Sequence, residues 1–174
     1  MTIEIPGYGG SILYIDLSMK SSKKVTLDPE LIRKFIGGRG FGSKLLYDLV
    51  DPDAPPLAPQ QPLIFATGPL ADLALSASRL NIMAKSPMTG IHGDSNVGGL
   101  FAMEMKRAGY DAIVFRGASN KPTYIWIQDD SVEFRDATHL WGKTVMEATD
   151  ELIREVGDRE AHVACIGPAG ETCS

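Results

Sequence analysis

The sequence predicts an α+β fold, in which mixed β-sheets are covered by amphipathic helices. Short runs of apolar and β-branched residues recur along the 174-residue chain and alternate irregularly with segments of helical periodicity. Two pairs of these runs flank short polar turns, as the strands of β-hairpins do. A regular βαβ winding would place a helix after every strand, so the observed order favours α+β.

The N-terminal part is predicted to form a hairpin followed by a helix. Residues 11–17 (SILYIDL) have the composition of a strand, and Val25 begins a second short strand after a polar turn. Asp28 can cap the following helix, and Pro29 suits its first position. The glycine pair 37–38 is expected to end that helix.

The middle of the chain combines a helix, a connection and two strands. Leucines give residues 41–50 one apolar helical face, and the prolines of residues 51–62 make an extended connection. Residues 63–67 (LIFAT) and 80–84 (LNIMA) predict buried strands. Residues 85–96 are rich in Gly, Pro, Ser and Asn, so they predict a loop.

The C-terminal part is predicted to contain two helices, a hairpin and two strands. Apolar residues of 97–108 fall on one helical face, and residues 111–115 (DAIVF) predict a buried strand. Residues 122–135 have the pattern of a hairpin. A last helix is predicted over 142–156, and residues 162–166 predict a final strand.

An internal duplication is a further hypothesis. Residues 11–36 and 123–153 both have the pattern of a hairpin, an acidic turn and an amphipathic helix. Their sequence identity is slight, so the hypothesis depends on the order of the predicted elements alone.

Composition excludes several classes of function. A formal charge of −5 without a basic stripe argues against nucleic acid as a partner. The longest charge-free stretch, residues 54–71, contains prolines and cannot form a membrane helix. Cys165 and Cys173 do not make a disulfide framework, and the N-terminus lacks a signal-peptide pattern, so we expect a soluble cytoplasmic protein.

The segment 94–99 (DSNVGG) is the most informative local feature. If a helix begins here, its free N–H groups and two glycines can accept a phosphate closely. The Asn96 side-chain oxygen is a suitable ligand for Mg²⁺, which usually lies on phosphates. An ordinary helix cap at Ser95 or Asn96, with glycines for tight packing, explains the same residues, and both interpretations stay open.

Other candidate residues carry weaker signals. The run 37–42 (GGRGFG) lacks the glycine at the third position of a dinucleotide fingerprint and follows a helix, so a helix–helix turn is favoured, although it could approach another large ligand. Arg79 precedes an apolar strand and is either a solvated strand end or directed at an anion. The histidines lack metal-ligand spacing, and His162 and Cys165 are predicted to be core residues.

Several stretches of the sequence are similar to the N-terminal domain of the aldehyde:ferredoxin oxidoreductase family. The resemblance extends from Ser11 to Glu171, with motifs in the family's order and spacing. The stretches are GGRGFGSKLLYDLVDP (37–52), LIFATGPL (63–70), SRLNIMAKSPMTG (78–90), NVGGLFAMEMKRAGYDAIVFRG (96–117), DATHLWGK (136–143) and ACIGPAGE (164–171).

The resemblance implies a cofactor and residues that hold it. Members carry tungsten bound by two molybdopterin molecules (tungstopterin) with a [4Fe–4S] cluster nearby, and residues 1–174 would form the β-rich base domain under the pterins. Arg79 matches an arginine between pterin and cluster. Asn96 matches a residue that holds the Mg²⁺ bridging the pterin phosphates, and Gly98 a backbone pterin contact. Ser95 and Gly99 flank these positions and are included as cofactor-binding candidates.

The resemblance also implies an activity and partners. Members oxidise aldehydes to carboxylic acids and pass electrons to ferredoxin, and some relatives reduce aromatic thioesters. Members are several times longer, so we expect downstream domains or a complementary subunit to supply the cluster ligands and catalytic residues, and we assign no catalytic residue here. A truncated, non-catalytic binding module is the alternative. Apolar surface left uncovered would make the isolated chain a homo-oligomer.

Overall fold

The computed structural model describes residues 6–73 and 77–172. Within these ranges the chain forms a six-stranded mixed sheet, a separate two-stranded hairpin and five helices, which confirms the predicted α+β class. Among the described helices, none has the length and apolar character needed to cross a membrane.

The elements follow one another in an irregular order of strands and helices. The strands are β1 (Ser11–Asp16), β2 (Ser21–Thr26), β3 (Leu63–Thr67), β4 (Leu80–Lys85), β5 (His92–Val97), β6 (Ala112–Arg116), β7 (Thr123–Gln128) and β8 (Ser131–Asp136). The helices are α1 (Pro29–Phe35), α2 (Arg39–Leu49), α3 (Phe101–Arg107), α4 (Val145–Val156) and α5 (Pro168–Glu171), with a 3-10 turn at Thr138–Leu140.

The large sheet has the strand order β2-β1-β6-β3-β4-β5. The pair β1–β6 is parallel and the other neighbours are antiparallel. β2 and β5 are therefore the two edges. Because β3 and β5 end, and β4 and β6 begin, at the same end of the sheet, the loops that follow or precede these strands come together there.

The sheet is covered on both faces, as its apolar strands require. One face carries α1 and α2, and its core includes Phe41, Ile64 and Met83, all of them 0% exposed. The other face carries α3 and the β7–β8 hairpin, around Leu13 and Ile113. This three-layer packing leaves the edge strands β2 and β5 and the ends of the strands as the accessible parts of the sheet.

Local sequence signals set the ends of two helices: the Asp28 cap of α1 was predicted, whereas α4 begins at Val145 and not at the predicted residue 142. The Asp28 carboxylate accepts the Glu30 N–H at 2.9 Å, at the start of α1. At the start of α4, Thr144 and Glu147 form a reciprocal capping box. Gly157 ends α4 with φ of 73°, a left-handed conformation that glycine adopts without a Cβ penalty.

The loop predicted over residues 85–96 is wrong at its C-terminal end, where β5 forms. Strand β5 pairs with β4 along its whole length, from Lys85↔His92 to Leu80↔Val97. Its side chains are mostly polar and exposed, because an edge strand has only one neighbour and little of it enters the core. The run of apolar and β-branched residues that predicted the other strands is therefore missing here.

Further boundaries differ from the prediction, among them those of β2 and the third helix. β2 begins at Ser21, four residues before Val25, because backbone pairing with β1 extends through its polar, exposed half. The third helix begins at Phe101, and Val97, predicted to be its first residue, belongs to β5. Val97 therefore pairs with Leu80 in the sheet and does not begin the helical stripe.

The strand predicted over residues 162–166 is wrong. This segment has no regular secondary structure. It passes near the N-terminal end of α4, where Cys165 Sγ lies 4.0 Å from the Val145 carbonyl oxygen. Away from a sheet edge, an apolar run has no ladder to join. Cys165 is exposed and His162 half-buried, so neither is the core residue that was predicted.

The proposed duplication stays a hypothesis. Both halves contain a hairpin followed by a helix, as the sequence predicts. The β1–β2 hairpin belongs to the large sheet, whereas β7–β8 is a sheet of its own.

Candidate functional site

One end of the large sheet brings together the residues that the sequence singled out. Thr67 at the end of β3 pairs with Leu80, and Leu80 pairs with Val97 at the end of β5. Arg79 directly precedes this row and Gly98 directly follows it. Residues more than 15 positions apart in the sequence thus flank one edge, which we call the β4–β5 end.

Arg79 and Asn96 are available to a ligand at this end. Both residues are exposed. Within residues 6–73 and 77–172, neither the Arg79 guanidinium nor the Asn96 side-chain amide has a hydrogen-bonding partner. A cation without a carboxylate partner and an unused amide oxygen are the groups that an anion and its counter-ion would need.

The glycines after β5 leave the backbone open. A Cβ atom built on Gly98 or Gly99 would meet no heavy atom within 4 Å. Gly99 has φ of 100°, which a side chain would strain, whereas Gly98 does not have this constraint. A large ligand can therefore approach the main chain at these two residues.

Ser95 and Asn96 lie on opposite faces of β5, because successive side chains alternate across a strand. Asn96 pairs with Asn81 and shares the α2 side of the sheet with Met83. Ser95 pairs with Ile82 on the α3 side. The two side chains therefore cannot hold one atom from the same direction, and a role for Ser95 stays a prediction.

The helix N-terminus that the sequence placed at residues 94–99 is not there. Gly98 and Gly99 form the turn before α3, and Leu100 is the residue at its cap, without a side-chain capping hydrogen bond. The helix has only seven residues. The open backbone and the strand edge, not a helix dipole, are thus what this segment offers to an anion.

The glycine run 37–42 brings α2 close to the sheet. A Cβ on Gly42 would overlap the Met83 sulfur, and one on Gly38 would lie 2.9 Å from Asn81 Nδ2. Gly38 N–H also donates to the Thr67 carbonyl at 2.9 Å. Gly37 and Gly38 lie between α1 and α2, in agreement with the interpretation as a helix–helix turn. Gly38 and Gly42 also allow α2 to pack closely on the sheet.

A buried charge network that the sequence did not predict lies beneath this end. The Asp111 carboxylate is fully buried and accepts the N–H groups of Gly9 and Gly10 at 3.0 and 2.7 Å. Lys106 Nζ donates to the carbonyls of Gly7, at 2.7 Å, and Gly68. The network ties the N-terminal segment to the turn after β3, which leads toward Arg79.

Burial shifts the pKa of both groups in the direction that favours their neutral forms. It raises the pKa of Asp111, against the opposing effects of the Gly9 and Gly10 N–H groups and Lys106. It lowers the pKa of Lys106, against the attraction of Asp111 and Asp72. An aspartate at the start of a wholly apolar strand was the only sequence signal for this network.

Histidines and carboxylates do not form a metal centre in the described part of the chain. No three His, Cys, Asp or Glu residues there are close enough to hold a metal ion. His92 Nε2 lies 3.1 Å from Ser43 Oγ, and His139 Nε2 lies 3.0 Å from Glu155 Oε2.

The fold and this site define a class: an α+β domain whose β4–β5 end presents an accessible backbone, an exposed amide side chain and an arginine that has no hydrogen-bonding partner among the described residues. The chain belongs to the aldehyde ferredoxin oxidoreductase N-terminal domain family, whose model matches residues 12–174.

Similar proteins support this membership. The tungsten-containing aldehyde ferredoxin oxidoreductases of Pyrococcus horikoshii and Thermococcus kodakarensis are 45% and 46% identical to it, over 95% of this chain and 27% of their own. The active-site complex BamBC of benzoyl coenzyme A reductase, solved with 1,5-dienoyl-CoA, matches 95% of this chain and 25% of its own, with 40% identity and a TM-score of 0.92. The chain thus spans about a quarter of the length of the relatives it matches.

Proposed function

We propose that this chain is the cofactor-supporting domain of a tungstopterin oxidoreductase that oxidises aldehydes to carboxylic acids, with ferredoxin as electron acceptor. Its support is the similarity to tungsten-containing aldehyde ferredoxin oxidoreductases over 95% of the chain. Downstream domains or a complementary subunit would carry the [4Fe–4S] cluster and the acid–base residues.

The single observation that carries the site is the open β4–β5 end. The donor set there fits a pterin phosphate and its counter-ion: Arg79 supplies an unpaired cation, Asn96 an oxygen suited to Mg²⁺, and Gly98 and Gly99 an accessible main chain. Tungsten would supply the redox chemistry when bound, while these residues bind and orient the pterin.

A glycine substitution tests this proposal without disturbing the fold. Gly98→Ala adds a methyl group where the chain itself leaves space, so the free energy of unfolding should stay close to that of the wild type. If the pterin approaches this backbone, the methyl group will obstruct it. We expect the full-length protein carrying Gly98→Ala to contain clearly less tungsten and pterin per polypeptide than the wild type.

The matched control is Ser22→Ala on β2, the opposite edge of the sheet. It should retain the wild-type tungsten and pterin content. Wild-type protein that contains neither tungsten nor pterin when produced with both available would contradict the proposed function. It would instead support the alternative of a non-catalytic binding module.

A related tungsten enzyme that reduces aromatic thioesters is the second candidate. It is favoured by the 40% identity and TM-score of 0.92 to the BamBC complex of benzoyl coenzyme A reductase. Both candidates would hold the same cofactor at the β4–β5 end of this domain. Assays of the full-length protein with aliphatic and aromatic aldehydes, and with an aromatic coenzyme A thioester, would distinguish them.

A further inference from the structure

Two side-chain contacts attach the edge strand β5 to helix α2. Arg39 Nε at the start of α2 forms an ion pair with Asp94 Oδ2. Four residues further along the helix, Ser43 Oγ lies 3.1 Å from His92 Nε2. Within residues 6–73 and 77–172, β5 pairs in the sheet with β4 alone, and these two contacts connect it to an element outside the sheet.

The ion pair is the contact nearer to Asn96. His92, Asp94 and Asn96 alternate with their neighbours and lie on the α2 side of β5. Asp94 and Asn96 are two residues apart, so their Cα atoms are about 7 Å apart in a strand. The Asp94 side chain is 17% exposed, whereas that of Arg39 is 64% exposed, so the guanidinium covers the carboxylate.

We call the Arg39–Asp94 ion pair the β5 tether, and its Arg39 end is held against the sheet. Gly38, the residue before Arg39, donates its N–H to the Thr67 carbonyl on β3. It also lies against Asn81 on β4, the residue that pairs with Asn96. The backbone from which Arg39 extends is therefore fixed to β4, the neighbour of β5, and to β3, the strand on the other side of β4.

Edge strands lose their pairing more readily than central ones, since one side of their backbone has no protein partner. The side chains of β5 are mostly polar and exposed, so they contribute little apolar burial that would hold the strand on the sheet. The charge-assisted contact of Asp94, two residues before Asn96, opposes the loss of this pairing. It does so at the β4–β5 end, where a bound cofactor would need a fixed backbone.

We propose that Arg39 and Asp94 are positioning residues for the cofactor site at the β4–β5 end. Their ion pair holds the C-terminal half of β5 on β4, and so fixes Asn96 and the Gly98 backbone for the pterin phosphate and its Mg²⁺. The inference rests on the proposed function for the identity of the ligand. The tether itself is independent of the ligand.

The test uses the full-length protein with Arg39→Gln, Asp94→Asn and the exchanged pair Arg39→Asp/Asp94→Arg. Lys24→Gln is the control, because it breaks another exposed ion pair, Lys24 Nζ to Asp130 Oδ1 at 2.6 Å, far from β5. Three quantities are measured: hydrogen exchange of residues 92–97, tungsten and magnesium per polypeptide, and the melting temperature.

Each single variant should show faster exchange in residues 92–97, unchanged exchange in β1 and β6, and a loss of magnesium and tungsten. The exchanged pair should recover part of both, and Lys24→Gln should change neither. Wild-type exchange in β5 of the single variants would overturn the proposal. So would an exchanged pair that restores β5 protection without restoring metal, because Arg39 would then contact the cofactor directly.

These outcomes are separate from a failure of the proposed function. If the wild type holds no tungsten or pterin, the function is overturned, and hydrogen exchange still decides whether the tether exists. If the wild type is loaded and Arg39→Gln stays fully loaded, the positioning role alone is overturned.

Discussion

Lys106 Nζ lies 4.0 Å from Asp111 Oδ1, in a region where the Asp111 side chain is fully buried and that of Lys106 is 9% exposed. The two groups attract each other, but each directs its hydrogen bonds to backbone: Asp111 to the N–H groups of Gly9 and Gly10, and Lys106 to the carbonyls of Gly7 and Gly68. The pair therefore fixes two loops at the end of the sheet that carries the candidate site.

Asp111→Asn should destabilise the domain strongly. The amide offers one acceptor oxygen in place of two, its NH₂ group faces a backbone donor, and Lys106 loses its counter-charge. Breaking a buried ion pair costs about 3–5 kcal/mol, to be measured by urea unfolding. Asp130→Asn, at an 83%-exposed side chain, is the control and should change the free energy of unfolding by about 0.5 kcal/mol or less. Equal effects of the two substitutions would contradict the role given to the buried pair.

The same substitution should change the dependence of stability on pH. Burial raises the pKa of Asp111 in the folded state above its ordinary value of 3.8. Between these two pKa values the folded state binds more protons than the unfolded state, so Asp111 adds stability as the pH falls through this window. The difference in unfolding free energy between wild type and Asp111→Asn should therefore widen from pH 7 toward pH 4. A difference that narrows would show that the pKa of Asp111 is lowered instead.

Gly42→Ala tests the close packing of α2 on the sheet. The added Cβ would overlap the side chain of Met83, which is itself 0% exposed and has little room to move. Overpacking of a core costs about 1–3 kcal/mol, to be read from thermal or urea unfolding. Gly98→Ala, where the added atom meets nothing within 4 Å, is the paired variant with no expected loss. Equal stability of both variants would show that the glycine run is not needed for packing.

The sequence predicted some elements of the fold and missed others. Strands β1 and β3, which are runs of apolar and β-branched residues, and helices α1 and α4, which have an apolar face, were predicted because their signals lie within a few residues. β5 was missed because its stability comes from pairing with β4 and not from its own polar residues. The contacts of Arg39 with Asp94 and of Lys106 with Asp111 were missed for a related reason. The first joins residues 55 positions apart, and the second depends on burial that only the fold creates.

Arg79→Gln should reduce cofactor retention without changing the free energy of unfolding appreciably. In the described ranges Arg79 is exposed and has no carboxylate partner, so its removal should change the free energy of unfolding by about 0.5 kcal/mol or less. If it faces an anionic cofactor, the full-length variant should lose pterin and tungsten more readily on dialysis. Arg79→Lys keeps the charge but not the forked donors, so an intermediate loss is expected. A variant that unfolds more easily and retains its cofactor would assign Arg79 a structural role.

The isolated 174-residue chain should self-associate through the β4–β5 end. Large apolar side chains lie exposed at or just beyond the strand ends there, among them Leu70 (61%), Val97 (45%) and Leu100 (51%). Several exposed large apolar side chains at one end of a sheet favour association with another protein surface. We expect light scattering at micromolar concentration to give a dimer or larger species. Leu100→Ser, which places a favourable capping residue before α3, should shift the population toward monomer without loss of stability. Met146→Ser, at an exposed position on α4, should leave the association unchanged, and a monomeric wild type would contradict the prediction.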